Sequence, residues 1–522
     1  MPDTAPLRVA LENVFGDPNV WLVMVLAALY GIFVGSIPGL TATMAVALLV
    51  PMTFFLSDTS AMAAIVTLVA CTIFAGDIPG ALVRIPGTPS SAAYTNDAYA
   101  LTQRGLHYRA LSVALTFSVA GGLFGAVFLV LVAPRLATLA NEFSPYEDFW
   151  LYVLGLSCAA IVSHGSRLKG TLALIIGLLL AMVGQSQVHA DARFTFENVP
   201  VIDAASEELF KGINFIPAMI GLFGLSEVLR NVLYPGGRAA AAADGAQRAG
   251  QPEDSESLLA AFAASLVMLV RKPLAALRSN LTGVLVGMLP GAGADIAAWI
   301  SYAISKRFSR NPQEYGKGSF DGLAEATGAN NSALAGAWIP ALVLGIPGDS
   351  VTAIVIGVLM MKDVTPSPKI FTPDGQPVLV YTIYIAFFLA NLILIPLGLL
   401  AIRVCSLLVN VPHRVLLPMI LIFCVVGAFA IDGSYFDVYI MLAMGLLGFV
   451  LDRFSIPLGP VVLGMILGAR LENAFIQTLI INEPLIDPRG RPIAAVLAAV
   501  CLLLWIAPLA TRLMKQVRGL RL

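Results

Sequence analysis

The 522-residue sequence predicts an all-α polytopic membrane protein with about 10–12 hydrophobic spans, arranged as two inverted repeats with Pro-Gly-broken or re-entrant helices. Three observations lead there. Charged residues make up 12% of the chain, against about 25% in soluble proteins, while apolar residues reach 58% and the mean hydropathy is +0.86. No soluble globule has an interior large enough for that much apolar surface. The second observation is a series of apolar runs along the chain, and the third is an internal duplication built on Pro-Gly pairs.

The runs fall at about 21–37, 40–56, 61–76, 111–133, 149–163, 170–184, 213–226, 378–402, 415–431, 438–451, 456–469 and 492–510. Several are too short to span alone. Irregular backbone at membrane depth survives only when buried in protein or lining a wet cavity, so short Gly- and Pro-rich runs predict broken or re-entrant helices. The run Leu258–Val270 follows Glu253, Asp254 and Glu256 and ends at Arg271-Lys272, which predicts an interfacial helix. The expected organisation is an N-terminal segment 1–20, a first transmembrane repeat 21–231, a cytoplasmic linker 232–278, a second repeat 279–470, and a C-terminal loop, last helix and basic tail 471–522.

Lys and Arg accumulate in cytoplasmic loops. Arg104 and Arg109, Arg167 and Lys169, Arg230 through Arg278, Lys306 through Lys317, Arg403 and Arg414, and the tail with Arg512, Lys515, Arg518 and Arg521 are therefore assigned inside. The acidic loop 185–212 is assigned outside. The C-terminus is then cytoplasmic. Residues 1–20 make a poor signal peptide, because Arg8 is offset by Asp3, Glu12 and Asp17. With 31 Lys+Arg against 32 Asp+Glu there is no basic stripe for nucleic acid, so nucleic acid is not an expected partner. Cys71, Cys158, Cys405, Cys424 and Cys501 form no CxxC pair and read as small core residues.

The duplication is the most informative feature. Gly31-x3-Gly35-x2-Pro38-Gly39 recurs as Gly283-x3-Gly287-x2-Pro290-Gly291, each position shifted by 252. Ile78-Pro79-x5-Ile85-Pro86-Gly87-x4-Ala92 recurs as Ile339-Pro340-x5-Ile346-Pro347-Gly348-x4-Ala353, each shifted by 261. The loops after the two copies fall on opposite sides by the charge assignment, so the repeats are inverted. Paired helix breaks in inverted repeats are how many secondary transporters bind solute near the bilayer midplane. Proline deletes a donor and glycine relaxes the chain, leaving peptide groups that need a ligand, an ion, water or a side chain.

The candidate site residues follow from these breaks. Pro86, Gly87, Thr88 and Ser90, with Pro347, Gly348 and Ser350, place hydroxyls and amides at helix starts, where an anion such as a carboxylate binds; simple helix capping is the alternative. Thr41 and Thr43 follow the first hairpin tip, whose helix breaks are Gly35, Pro38 and Gly39; Gly287, Pro290 and Gly291 break the second. Asp295 and Asp349 lie in apolar stretches as candidates for coordinating Na+ or carrying a proton, with an ordinary N-cap as the competing role for each. Arg84 could fork onto a substrate carboxylate, pair with Asp77 or Asp97, or snorkel to the inner surface. Asn330 and Asn331 could bind the carboxylate, ligate Na+ or pack helices. The four histidines fall in expected loops and suggest no metal set, and no P-loop, HExxH or paired-cysteine zinc pattern is present, so ATP-driven transport and enzyme chemistry are not expected. A passive organic-anion channel, or less readily an intramembrane enzyme, is the alternative.

At Gly31–Pro51 (GIFVGSIPGLTATMAVALLVP), Ile85–Ala93 (IPGTPSSAA), Gly283–Asp295 (GVLVGMLPGAGAD) and Ala329–Gly357 (ANNSALAGAWIPALVLGIPGDSVTAIVIG), the sequence resembles the large membrane subunit of the tripartite tricarboxylate transporters, the TctA type. The stretch Phe194–Glu227 also fits, so the resemblance covers nearly the whole chain. It implies a bacterial inner-membrane permease that works with a small four-helix TctB-like membrane subunit and a periplasmic TctC-like solute-binding protein. Uptake of a tricarboxylate such as citrate, or of a related di- or aromatic carboxylate, would be driven by a cation gradient, with no cofactor beyond a possible coupling Na+. Two departures flank the site: many relatives have Asn where Arg84 stands, and their Pro-Glu-Ala-Ala-Asn-Asn is spread here over Glu325 to Asn331. Substrate choice could therefore differ from citrate.

Overall fold

The computed structural model describes residues 5–37, 40–162, 166–185, 191–195, 208–233, 256–404, 413–481 and 484–519. These residues are almost entirely helical; the strand content is one two-residue antiparallel pair, Gly184–Gln185 with Ala192–Arg193. The Pro38-Gly39 break and Cys405 lie outside the described residues.

Among the described residues, seven helical segments are long and apolar enough to cross a membrane: Pro18–Gly35, Asp58–Val83, His107–Ala140, Phe215–Leu233, Pro377–Arg403, Tyr435–Arg453 and Leu458–Ile481. Leu258–Arg271 and Pro273–Gly287 make an eighth if counted together, but they are bent by 86° at the Lys272-Pro273 junction. Four shorter apolar helices remain, Ala42–Thr53, Ser350–Met361, Leu417–Ala430 and Pro492–Ile506. The first two have 12 residues each. Such a helix covers roughly 18 Å at 1.5 Å per residue, well short of the roughly 30 Å hydrocarbon layer. The Pro-Gly breaks thus cut their apolar runs into pieces that reach partway.

The chain packs as two compact units, Met1–Ala137 with Ile216–Phe449, and Thr138–Phe215 with Val450–Leu522. In the smaller unit, Arg167–Ala181 packs on Leu458–Ile481, where Gly177 and Gly464 bring the two backbones together. Pro145–Val162 lies against the same long helix, fixed by Tyr146 Oη donating to Thr478 O at 3.2 Å and Trp150 Nε1 donating to Leu485 O at 2.8 Å.

The larger unit holds the repeats. In the first, α1 (Pro18–Gly35) lies against α2 (Asp58–Ala75), which continues after Gly76 as α3 (Asp77–Val83). In the second, α4 (Pro273–Gly287) lies against α5 (Phe320–Leu344). A Cβ on Gly31 would sit 2.5 Å from Leu68 O, and one on Gly35 would sit 2.5 Å from Thr72 O. Gly283 and Gly287 meet Ala329 O and Ala333 O in the same way, and those carbonyls are Leu68 and Thr72 shifted by 261. The repeat in sequence is therefore a repeat in packing, with the Gly-x3-Gly face of one helix seated on the backbone of the next. Residues Ser60–Ala75 of α2 and Gly322–Val343 of α5 are all buried, as helices apolar on every side should be.

The second pair carries an additional brace. Arg278 on α4 forks onto Glu325 on α5, with Nη2 donating to Oε1 at 2.6 Å and Nε to Oε2 at 3.0 Å, and Ser305 Oγ adds a third donor at 2.8 Å. The corresponding first-repeat positions are Leu26 and Ala64, so the brace belongs to one copy only.

Gly35→Val should push α1 off α2 and cost about 1–3 kcal/mol. It should be read as a lowered thermal midpoint of the purified protein, whereas Leu22→Ala on the exposed side of α1 should leave the midpoint nearly unchanged.

Candidate functional site

Each central helix ends in the same way. The backbone turns left-handed at Arg84 (φ 59°, ψ 26°) and at Gly345 (φ 64°, ψ 24°), which correspond under the 261-residue shift. In both copies the cap N–H donates to the carbonyl of the helix proline, Pro79 or Pro340, and the next amide follows, Ile85 N at 3.4 Å and Ile346 N at 3.3 Å. Arg84 thus occupies a glycine-type position at a cost of about 1–2 kcal/mol. Its side chain is exposed, donates from Nε to Asn96 Oδ1 at 3.1 Å, and lies over the Tyr99 ring. Neither Asp77 nor Asp97 pairs with it.

Gly87 and Gly348 then fold back onto the glycine faces. A Cβ on Gly87 would lie 2.6 Å from Gly76 O and 3.0 Å from Gly35 O; one on Gly348 would lie 2.7 Å from the Ala337 Cβ and 2.8 Å from Gly287 O. Gly87 N donates to Gly76 O at 3.1 Å, and Gly291 N donates to Gly348 O at 2.8 Å. Pro86 and Pro347, immediately before, aim the chain into these contacts.

After each glycine comes a reciprocal cap. Thr88 N donates to Ser91 Oγ and Ser91 N to Thr88 Oγ1, both at 3.2 Å. At the equivalent positions Asp349 N donates to Thr352 Oγ1 at 3.0 Å and Thr352 N to Asp349 Oδ1 at 2.8 Å, opening α6 (Ser350–Met361). Asp349 is therefore an N-cap in this arrangement, with its Oδ1 also accepting from Thr352 Oγ1 at 2.8 Å. Ser350 is the first residue of that helix.

The two repeats meet at Ser90. Its amide donates to Asp295 Oδ1 at 3.2 Å, and its hydroxyl accepts from Asn330 Nδ2 at 3.0 Å and lies 2.9 Å from Thr88 Oγ1. Asp295 belongs to the first turn of α7 (Gly293–Phe308), the helix that follows the Pro290-Gly291 tip; Trp299 on the same helix donates to Pro89 O at 3.3 Å. A Cβ on Gly293 would lie 2.6 Å from the Asp349 Cβ, so the second break packs against the start of the same helix. Among the described residues, buried Asn331 has no hydrogen-bond partner for either amide atom, and Asn330 Oδ1 has none either. Thr41 caps α8 (Ala42–Thr53), accepting from Met44 N at 3.3 Å, and α8 packs against α6; Thr43 is in its first turn. No hydrogen bond joins either threonine to the Ser90 cluster among the described residues.

Two acidic residues outside the expected set complete the picture. Asp77, 3% exposed, accepts from Tyr94 Oη at 2.5 Å. Asp97, fully buried, gathers the loop before α5: Oδ1 accepts from Gly316 N, Gly318 N and Ser319 N, each at 2.8 Å, and Oδ2 from Tyr302 Oη at 2.5 Å. In the sequence both were only possible partners for Arg84. For Asp77 the usable signal was its place at the end of the 61–76 apolar run with no cation three or four residues away; Asp97 carried no such signal.

Together these elements make an all-helical polytopic membrane protein whose duplicated helix breaks converge on one buried polar junction. The chain belongs to the tripartite tricarboxylate transporter TctA family, which matches residues 21–463. It is 32% identical over 502 residues to an uncharacterized 52.8 kDa protein in the TAR-I ttuC' 3' region of Agrobacterium vitis, covering 95% of this chain and 94% of that protein. It is 37% identical over 201 residues to an uncharacterized protein in the TAR-II ttuC' 3' region of the same organism, covering 38% of this chain and 82% of that one. No solved structure matches.

Asp97→Ala should strip four donors of their acceptor and release the 309–319 loop, costing about 3 kcal/mol or more. Limited proteolysis should then cut within that loop, where the unaltered protein resists.

Proposed function

We propose that this chain is the large permease subunit of a binding-protein-dependent secondary transporter that takes up an organic carboxylate by cation symport. The carrying observation is the Ser90 junction. One peptide amide, two hydroxyls and an amide side chain converge there from both repeats, which is the kind of donor set a carboxylate needs.

The Ser90 amide already binds a carboxylate, that of Asp295. An incoming substrate carboxylate would take that amide and release Asp295, placing two negative charges side by side. At 4 Å and an effective dielectric near 20, such a pair repels by about 4 kcal/mol. A co-transported cation would remove the penalty, which supports coupling to Na+ or H+. Thr88 and Ser90 would orient the solute from the first break, Gly348 and Ser350 from the second, and Asn330 and Asn331 from α5.

If the two breaks face opposite sides, as the loop charges suggest, alternate exposure would proceed by rocking one repeat against the other. A bacterial inner-membrane location with the C-terminus inside, a small four-helix membrane partner and a periplasmic solute-binding protein complete the reading; they rest on the family and the loop charges. The substrate class extends from tricarboxylates such as citrate to smaller di- and aromatic carboxylates.

The test is counterflow of labelled citrate and smaller carboxylates in proteoliposomes containing this chain and its partner subunits, with and without a Na+ or pH gradient. Gly87→Leu and Gly348→Leu should each lower uptake at least tenfold while the protein stays in the membrane at the unaltered level. Unaltered uptake by both variants would overturn the site, and flux indifferent to every ion gradient would make the protein a passive channel.

A further inference from the structure

We propose that two equivalent clasps between the repeats are the gates of the Ser90 junction: Lys362 closes the outer one, and Asp97 with Arg104 closes the inner one. This rests on the transporter reading above and names the contacts that part when its site opens to either side.

Four helices start at or just after the breaks, and they form two pairs, each drawing one helix from each repeat. α8 and α6 pack against each other and end at Phe54 and Lys362. α7 and α9 (Thr95–Thr102), which follows Ser90, are joined by Tyr302 Oη donating to Asp97 Oδ2, and they end beside the 309–319 loop and Arg104. Under the repeat α8 corresponds to α7, and α9 to the latter part of α6.

At the far end of each pair a cation reaches across to the other repeat. Lys362 Nζ donates to Leu56 O at 2.5 Å and to Phe54 O at 3.4 Å, and lies 3.7 Å from Asp58 Oδ1. Arg104 Nη2 donates to Lys317 O at 2.6 Å. Leu56 and Lys317 are equivalent under the 261-residue shift, and each stands just before a central helix, α2 or α5. The cations are not equivalent, since Leu101 stands where Lys362 would recur and Thr365 where Arg104 would. Each copy thus supplies the same carbonyl with a cation by a different residue, which points to a use for the contact itself. The loop charges assign the turn after α9 to the inside and the turn after α6 to the outside, so the clasps fall on opposite faces.

The clasps differ in strength. Asp97 ties the inner loop through Gly316 N, Gly318 N and Ser319 N, whereas its equivalent in the second repeat is Val358. The outer clasp rests on one lysine. A single ammonium on two carbonyls with a half-exposed carboxylate nearby is weak enough to part and re-form in each cycle. The empty site therefore opens outward more readily, toward the side from which a solute is taken up.

The experiment places cysteine pairs across each clasp in the full chain assembled with its partner subunits: Leu56→Cys with Lys362→Cys outside, and Arg104→Cys with Lys317→Cys inside. A short, reducible bis-methanethiosulfonate then ties each pair. Carboxylate uptake should fall at least tenfold on either cross-link and return on reduction. The same treatment of Lys169→Cys with Phe454→Cys, a lysine-to-carbonyl contact at 2.6 Å within the smaller unit, should leave uptake unaltered. A second readout needs no transport: labelling of Ser350→Cys by an impermeant maleimide in right-side-out and inside-out vesicles. It should rise at least fivefold from outside in Lys362→Met and at least fivefold from inside in Asp97→Asn, with Arg104→Met standing in should Asp97→Asn fail to fold. Ser350→Cys labelling unchanged from both sides in these variants would overturn the gates. Uptake that survives both cross-links would also overturn them and leave the transporter reading standing. Labelling that shifts as expected in a complex that takes up no carboxylate under any ion gradient would do the reverse.

Discussion

The closest constraint in this protein is backbone against backbone. Lipid offers two helices no hydrophobic reason to associate, so contact has to come from surfaces that fit. Gly31 and Gly35 let α1 settle onto the carbonyls of α2, and Gly283 and Gly287 let α4 settle onto those of α5. No other residue fits at these four positions without moving a helix. The breaks inherit their position from this contact, because Gly87 turns back against Gly35 O and Gly348 against Gly287 O. The polar junction is held by glycines that carry no chemistry of their own.

The copies then diverge where a function would require it. The left-handed caps, the proline acceptors and the reciprocal caps are shared, and they satisfy peptide groups that lipid would leave bare. The side chains laid over that frame differ: Thr88 stands opposite Asp349, Arg84 opposite Gly345, and Asp77 opposite Trp338. A device that only supported the fold would have little use for such differences. They give the junction one polar, hydroxyl-rich wall from the first repeat and one acidic cap from the second.

Much of this was legible in the sequence because glycine and proline carry their geometry with them. The shifts of 252 and 261 located both breaks and picked out Gly87, Thr88, Ser90, Gly348 and Asp349. What the sequence could not supply were distances between residues far apart in the chain. Ser90 to Asp295 spans 205 positions and Ser90 to Asn330 spans 240, and their meeting depends on how the repeats pack. Asp77 was visible only as a neighbour for Arg84, because the phenol that claims it lies 17 residues on, past the break. Both readings of Asp349 were open from its position beside Gly348; the Thr352 hydrogen bonds set it as an N-cap here. The brace of Arg278 on Glu325, 47 residues apart, left no periodic trace either.

On the proposed reading, the Asp295 contact would let an anion site be built without a fixed cation in it. A permanent Arg or Lys at the junction would hold a carboxylate strongly in both orientations and slow its release. An internal carboxylate on the same amide sets the opposite condition: the empty site is already satisfied, and the solute gains only the difference between its own contacts and those Asp295 gives up. On the proposed reading, binding would then be weak in isolation and strengthened only when a cation offsets the added charge. In the proposed transport cycle, affinity that depends on the ion would oblige the two to move together, and it would arise from the hydrogen bond between the first repeat's break and the second repeat's hairpin.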